Sequence, residues 1–345
     1  MQEFFDRGNS VTKKISTYDG KKQATPTRVV PVKQRRSEIV SLRLVIVLIL
    51  VLGVLILSGV GITIARALMQ GTKGQVSTAG TPVTTLPVQR TAAYAGLDVT
   101  VVNAQEARVF ADDPIHAGQT TIRLNLHIAN KTGNQISVVY YAIAYLLVPQ
   151  ESTSTPTNVR LASSFTPNTS GDGWLDYSLP KSVSLKTLTL QVGSTALNET
   201  LVNIPFTGVF NASQYADRVV TRSLSITYNY YGHTLLYHLT SVEVRFAYHG
   251  VQCTTGQRFY ILDFSIDNPE SGDISPGYGF DYVRFVLNGN DRTPVDNALP
   301  YTIKANAKNV KGYVVFTAPA SLSSFTLGLL SQNGNPEQDT NVTLK

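Results

Sequence analysis

The sequence predicts an all-β chain, two tandem two-sheet units behind a single N-terminal transmembrane helix. Three observations predict it. From Ala92 onward, short runs rich in Val, Ile, Thr, Tyr and Phe alternate apolar with polar residues. The C-terminal half repeats the N-terminal half at a nearly constant offset. Ahead of both lies a run of 22 uncharged, mostly apolar residues, 44–65.

Composition sets the outer bounds. With 43% hydrophobic and only 15% charged residues, the 345-residue chain is too apolar to be wholly disordered. Its one cysteine, Cys253, has no partner for an intrachain disulfide, so whatever folds is held by packing. The length allows roughly two domains of ordinary size. The net charge of +6 sits at one end. Residues 1–43 carry ten basic side chains (Arg7, Lys13, Lys14, Lys21, Lys22, Arg28, Lys33, Arg35, Arg36, Arg43) against Glu3, Asp6, Asp19 and Glu38. From Arg66 onward basic and acidic residues cancel. A basic excess confined to a short tail beside an apolar run is a topology signal, and no nucleic-acid partner is expected.

The run 44–65, LVIVLILVLGVLILSGVGITIA, is bounded by Arg43 and Arg66. As a helix it is about 33 Å long, enough to cross a hydrocarbon core of roughly 30 Å. Its Val and Ile lower helix propensity in water, but an unsatisfied peptide group in lipid costs several kcal/mol, so helix is the expected outcome and the bilayer the first expected partner. The basic tail retains the N-terminus in the cytoplasm and sends the C-terminal part outside the cell. Ala65-Arg66-Ala67 has the small-residue spacing of a signal-peptidase site. However, both the apolar region and the segment before it are too long for a cleaved signal peptide, which favours an uncleaved signal anchor. The tail 1–43 is expected to be disordered. Residues 66–91, rich in Gly, Thr and Pro, read as a linker. Gly61 and Ala65 are spaced to let two such helices approach, which adds a homo-oligomer to the expected partners.

In TTIRLNLHIAN, Ile122, Leu124, Leu126 and Ile128 share one face of a strand and Arg123, Asn125 and His127 the other. The run 138–149, VVYYAIAYLLVP, is apolar on both faces and reads as a central strand. Gly118-Gln119 and Asn130 recur as Gly256-Gln257 and Asn268 at an offset of 138, and GWLDYSLPKSVSLKTLTL recurs as GYVVFTAPASLSSFTLGL at 139. Trp174 matches Tyr313, Pro180 matches Pro319 and Leu188 matches Leu327. The chain past the membrane therefore divides into units at 92–206 and 222–345 joined by a linker, 207–221. Each unit has the size and cadence of a β-sandwich of about seven or eight strands. Trp174 or Tyr313 is expected to anchor one sheet on the other, and Pro180 or Pro319 to begin the loop to the next strand. Residues 228–237, YNYYGHTLLY, read as a hairpin around Gly232.

The succession of strand, Gly-Gln, alternating strand ending in Asn, long loop, and Gly-aromatic strand with Pro before Ser-Leu resembles immunoglobulin-like, telokin-like extracytoplasmic domains of unknown function. Such domains occur on bacterial lipoproteins and membrane-anchored surface proteins. The resemblance covers most of both units and implies two tandem Ig-like β-sandwiches outside the cytoplasm. It brings no catalytic residues, and a spanning anchor stands here in place of a lipidated cysteine.

Motifs for chemistry are sparse. His116, His127, His233, His238 and His249 show no ligand spacing apart from His233 and His238, which five residues apart on a strand face opposite ways. Asp112-Asp113, Asp263 and Asp267 could each contribute to a calcium site, but no DxDxDG loop accompanies them and acidic turns are the plainer reading. Cys253 has His249 four residues before it, which falls short of a nucleophile with a base and an orienting group. No GxSxG, Walker or GxGxxG motif occurs, and NGNDR near Gly289 is a turn. Asn130, Asn168, Asn198, Asn211 and Asn341 begin N-glycosylation triplets, a common accident in Thr- and Asn-rich strands. No cofactor, metal or enzymatic activity is expected. The expectation is a single-pass cell-membrane protein presenting two Ig-like domains to an envelope component or protein partner. Tyr228, Tyr230, Tyr231 and Tyr237 are offered as contact surface, about half of them expected to be buried. The alternative is an extracytoplasmic ligand sensor or hydrolase using a sandwich cleft.

Overall fold

The period-two pattern becomes strands throughout the computed structural model, which describes residues 82–112, 120–330 and 338–344. The expected spanning helix 44–65, the tail before it, the linker as far as residue 81, and Asp113, His116, Gly118 and Gln119 lie outside the described residues. Among the described residues no helix is long and apolar enough to cross a membrane.

The first half runs through β1 (Thr84–Tyr94), β2 (Leu97–Ala107), β3 (Thr120–Asn130), β4 (Ile136–Ser137), a single helical turn α1 (Tyr140–Ile143), β5 (Ala144–Leu147), β6 (Asn158–Arg160), β7 (Ser164–Phe165), β8 (Ser170–Leu179), β9 (Thr189–Val192) and β10 (Val202–Pro205). The second half runs through β11 (Arg218–Tyr230), β12 (His233–Arg245), β13 (Ala247–Tyr248), β14 (Val251–Gln252), β15 (Gln257–Asp267), a second turn α2 (Gly279–Tyr282), β16 (Val283–Leu287), β17 (Asn290–Arg292), β18 (Asp296–Asn297), β19 (Val310–Pro319), β20 (Ser324–Leu329) and β21 (Gln338–Thr343). The chain is all-β. Five strands in the order β1-β2-β3-β8-β6 face three in the order β10-β9-β5, and the second half repeats this with β11-β12-β15-β19-β18 against β17-β16-β20-β21. The named ladders are antiparallel.

Each pair of sheets closes on one core. Ile122, Leu124, Leu126 and Ile128 enter it from β3, Leu175 and Tyr177 from β8, and Leu190 and Val192 from β9. In the second half Tyr237, Leu262, Phe264, Phe285, Phe316 and Phe325 do the same, with the Phe285 and Phe325 rings stacked 4.0 Å apart. The Tyr177 hydroxyl, inside the first core, has no hydrogen-bond partner among the described residues, and its counterpart Phe316 has no hydroxyl to satisfy.

The two halves share a polar device that fixes how the chain crosses between sheets. Asn130 Nδ2 lies 2.7 Å from Asn134 O, 3.0 Å from Phe165 O and 3.2 Å from Thr166 O, while its Oδ1 accepts from the Thr132 N–H. At an offset of 138, Asn268 Nδ2 lies 2.8 Å from Gly272 O, 3.2 Å from Ile303 O and 3.0 Å from Lys304 O, and its Oδ1 accepts from the Glu270 N–H. Both amides are buried. Each ties the end of a central strand to two loops whose carbonyls would otherwise be stranded away from water.

The glycine of each Gly-aromatic motif answers to a close approach. A Cβ on Gly173 would meet Arg160 O at 2.1 Å, and one on Gly312 would meet Ala298 O at 2.8 Å, so β8 and β19 can pair with their short outer neighbours only through glycine. Tight turns with two left-handed residues join β1 to β2 at Ala95-Gly96 and β11 to β12 at Tyr231-Gly232. The hairpin expected around Gly232 is therefore present, as is the turn at Gly289.

Several sequence expectations are corrected. The run 138–149 is not one central strand. It leaves β4, makes the turn α1 and ends as β5 at the edge of the smaller sheet, because its apolar residues serve a chain crossing from one sheet to the other. The body begins at Thr84, not Ala92: the stretch read as linker supplies most of β1, where Val88 and Ala92 are buried and Arg90 donates to Pro205 O at 2.6 Å and Thr207 O at 3.1 Å. The second half begins at Arg218, four residues before the expected boundary. Trp174 and Tyr313 do not anchor one sheet on the other. Alternation sends Leu175 and Tyr177, or Val314 and Phe316, into the core and leaves both aromatics on the outer face. The triplet at Asn130 begins with a buried, fully used amide, so that asparagine is structural.

Replacing either amide tests the shared device. Asn130→Ala and Asn268→Ala should each cost roughly 3 kcal/mol, because three carbonyls and an N–H lose their partner at once, as measured by urea denaturation followed by near-ultraviolet circular dichroism. A fragment starting at Ala92 should likewise be less stable than one starting at Pro82 by about 3 kcal/mol, from loss of Val88 burial and the Arg90 hydrogen bonds. Equal urea midpoints for the two fragments would show that β1 contributes little before Ala92.

Candidate functional site: the cleft between the halves

The outer faces of the two larger sheets are equivalent by register but chemically different. On the first, Arg123 of β3 stands opposite Asp176 of β8, and its guanidinium makes two 2.8 Å hydrogen bonds to that carboxylate and two of 2.9 Å to Asp112. Its Cζ lies 3.7 Å from the Trp174 ring centroid and 4.1 Å from that of Phe110. Desolvation alone would lower the pKa of this buried cation, but the hydrogen bonds and charges of Asp176 and Asp112 outweigh it and hold the pKa above its ordinary value. On the second sheet the matching positions are Ile261 and Val315, and both join the core of the first half together with Phe246, Cys253 and Phe259.

That exchange of a charged pair for an apolar one makes a docking face. The end of the first half packs there through the β1–β2 turn and the loop after β9. Ala95 N–H donates to Gln252 Oε1 at 2.9 Å, and Gln252 Nε2–H donates to Thr200 O at 3.1 Å. Thr200 N–H donates to Cys253 O and Thr255 N–H to Asn198 O, each at 2.8 Å. Tyr215, in the connector between the halves, meets Phe246 edge-on at 6.2 Å. Both halves lie within one compact unit of the chain.

Beside this contact the docking face is left open. A cleft of about 620 Å³ lies between Gly96, Asp98 and the 131–134 loop of the first half and Glu243, Arg245, Asp263, Tyr248, His249 and Tyr313 of the second. That volume suits a small ligand or a short segment of a larger one. Register explains the wall: Glu243 stands opposite Ile261, and Asp263 opposite Tyr313, so these side chains project from one sheet face. Its charges are partly paired, each within its own half. Lys131 meets Asp98, Arg245 meets Glu243, and Asp263 Oδ2 accepts from Ser241 Oγ at 2.6 Å. Tyr248 donates to Asp296 Oδ2 at 2.6 Å, with the Tyr313 hydroxyl 3.2 Å away and the His249 ring stacked on it at 3.9 Å. Desolvation, then the Asp296 and Tyr313 contacts, raise the Tyr248 pKa, so the phenol stays neutral and acts as a fixed donor. Asp217 keeps much of its surface in water, yet desolvation of its carboxyl outweighs the Phe246 N–H and the nearby Arg245 and Arg258 and raises its pKa.

The tyrosines proposed from the sequence divide. Tyr228 and Tyr237 are buried in the second core: Tyr228 stacks on Tyr282 at 5.1 Å and Tyr237 shares a 2.8 Å hydrogen bond with the Tyr282 hydroxyl. They are packing residues, and the contact surface offered for them is withdrawn, since the same strand face that brings them together faces the opposing sheet. Tyr230 is half-buried and Tyr231 exposed, but neither lines the cleft. His233 and His238 contact different acids, Glu270 at 2.7 Å and Asp267 at 3.6 Å. Asp112 is taken by Arg123, and Asp267 accepts from the Asn309 N–H. Among the described residues no three His, Cys, Asp or Glu side chains gather in an arrangement that could hold a metal ion. Cys253 lies buried in the junction, 3.5 Å from Thr200 Oγ1 and 3.8 Å from Arg258 Nη1. The cleft went unread in the sequence because its walls come from segments far apart in the chain. The one available signal was the loss of the Arg123–Asp176 pair at Ile261 and Val315.

No family model matches the sequence, and no curated protein matches it. Solved structures match in part. A functionally unknown protein from Listeria monocytogenes EGD-e is 16% identical with a TM-score of 0.29, over 37% of this chain and 88% of that one. A conserved hypothetical protein from Bacillus anthracis is 14% identical with a TM-score of 0.27, over 35% of this chain and 96% of that one. A conserved domain protein from Bacillus anthracis is 8% identical with a TM-score of 0.20, over 76% of this chain and 92% of that one.

At the junction one side chain of the second half, Gln252, bonds two separate segments of the first. Gln252→Ala should cost about 2 kcal/mol by leaving the Ala95 N–H and the Thr200 carbonyl unpaired. Hydrogen exchange at the Ala95 amide should accelerate while exchange at Leu124 and Phe264, deep in the two sheets, keeps its rank.

Proposed function

We propose that the chain is a single-pass membrane protein that holds two immunoglobulin-like domains outside the cell and binds an envelope component or protein partner in the cleft between them. The cleft is the observation that carries this reading: a mixed-charge cavity walled by both halves, beside a packed junction that keeps those walls in place. The Ig-like assignment draws support from the repeated arrangement of a five-stranded antiparallel sheet against a three- or four-stranded one over a single core, with no disulfide. Anchoring and orientation rest on the apolar run 44–65 and the basic tail before it. The cleft also favours a ligand-sensor reading, since a ligand touching both walls would alter how the halves meet. For a hydrolase the candidate nucleophile is misplaced, because Cys253 is buried in the junction and is not part of the cleft wall.

The test uses the full chain in its membrane. A Cβ on Gly133 would meet nothing within 4 Å, so Gly133→Trp should fill the cleft mouth without disturbing either core. Envelope material captured by the wild type, with and without calcium, should be lost from Gly133→Trp and retained by Tyr141→Ser, an exposed position on α1. Protease added to intact cells should digest the β halves and spare the tail. Equal capture by Gly133→Trp, or protection of the β halves, would reject the reading.

A further inference from the structure

The outer face of the second large sheet lacks the contacts that close its counterpart. On the first face, three successive rows of β3 and β8 are shut by side chains of their own half. Arg123 pairs with Asp176 and lays its guanidinium on the Trp174 ring, Asn125 Nδ2–H donates to Asn103 Oδ1 at 2.7 Å, and His127 meets Asp172 at 2.8 Å. On β15 and β19 the same rows, at offsets of 138 and 139, are Ile261–Val315, Asp263–Tyr313 and Ser265–Lys311. The first of these is covered by the docked half. In the second the aromatic side chain has lost its cap, since among the described residues no cation lies over the half-buried Tyr313 ring. In the third Lys311 is exposed and makes no ion pair among the described residues.

The cleft therefore continues past Tyr313. A second hollow of about 280 Å³ lies among Thr240, Ala298 and Lys311, and it shares Asp263 and Tyr313 with the cleft. Rows two residues apart on a strand are roughly 7 Å from each other, so the two hollows make one groove along the sheet face with Tyr313 between them.

Three properties of this groove select its occupant. The strands β12 and β15 beneath it are paired along both edges, so they offer side chains and no free ladder to an extended peptide. Its charges nearly cancel. Lys131 pairs with Asp98 and Arg245 with Glu243, and the remaining Asp217 and Asp263 against Lys311 leave one net negative charge, which suits neither a polyanion nor a polycation. Its polar groups are carboxylates, an amide and a guanidinium set around an aromatic ring. A sugar ring has the matching character: hydroxyls that donate and accept around its edge, and a face of C–H groups that rests on the negative face of an aromatic ring.

We propose that the groove holds a linear uncharged glycan, one sugar ring seated on Tyr313 and its neighbours in the hollows on either side. The inference rests on the cleft reading above and narrows the envelope component to one chemical class.

Titration calorimetry of the full chain in micelles of a sugar-free detergent, with chitohexaose, cellohexaose and maltohexaose as probes, tests it. At least one should bind, about tenfold more tightly than its own disaccharide, with little change between about 50 and 500 mM salt. Tyr313→Ala should weaken that hexasaccharide about tenfold, and Tyr313→Trp, which installs the ring of the first half, should keep its affinity. Lys311→Ala, at an exposed position that leaves the core intact, should weaken it severalfold with an unchanged urea midpoint. Failure of all three probes to bind overturns the glycan assignment. So does binding indifferent to both Tyr313→Ala and Lys311→Ala, or a preference for polyphosphate or polylysine over every probe. The cleft reading is judged separately: envelope material lost from Gly133→Trp but retained by Tyr313→Ala would leave the cleft in place and reject the glycan.

Discussion

Each half is organised around a buried asparagine amide. Asn130 and Asn268 end the central strands β3 and β15, where the chain must leave one sheet and cross to the other. A crossing chain turns its carbonyls away from any ladder, and a carbonyl left unpaired in the interior costs the full desolvation of a polar group. One side-chain amide meets three of them and returns an acceptor to a loop N–H. The helical turns α1 and α2 and the strands β5 and β16 that follow them come after those pinned crossings in the chain. The halves agree in this network position for position at an offset of 138, while their surfaces differ widely. Interior polar networks are hard to alter piecemeal, since a half-satisfied one is worse than none.

What differs between the halves is as informative as what is shared. The outer face of β3 and β8 keeps Arg123 in water-poor surroundings by giving it two carboxylates and two aromatic faces. Breaking such a pair would strand a charge, so the face could not be converted to a docking surface one residue at a time. The second sheet has apolar residues at both positions, Ile261 and Val315, and there the first half docks. The replacement is consistent with the general finding that a buried ion pair and a well-packed apolar pair of similar volume are near equals in stability. They are not equals as surfaces.

The sequence made the strands, the duplication and the neutrality of the β body legible, because alternation, offset and charge are local or additive properties. It misplaced what depends on three-dimensional context. Residues 84–91 carry Gly- and Thr-rich neighbours, and only the pairing of Thr84–Tyr94 with β2 distinguishes an edge strand from a linker. The run 138–149 has the composition of a central strand, yet its hydrophobicity serves a crossing between sheets. Trp174 looked like a core anchor because tryptophan usually is one, but it sits three residues before Tyr177 on the same strand, and odd spacing puts the two on opposite faces. The four candidate tyrosines follow the same rule: Tyr228 and Tyr237 alternate inward, and Tyr231 escapes only because it occupies a turn.

The cleft is a geometric consequence of this docking. The tip of a β unit is narrower than a five-stranded sheet face, so a tip set on Ile261, Val315 and Phe259 leaves the rest of that face open. The uncovered strip carries Glu243, Arg245 and Asp263, while the wall opposite is the 131–134 loop, whose position is set by the Asn130 amide through Thr132 and Asn134. The side that could move is therefore tied to the first core, and the side that receives it is part of the second sheet. On the proposed reading, a ligand held between Lys131 and Arg245 on opposite walls would draw on both halves for its contacts. Its affinity would then depend on how firmly Gln252 and the Phe246–Tyr215 contact keep the halves together, which couples binding to a junction that the ligand never touches.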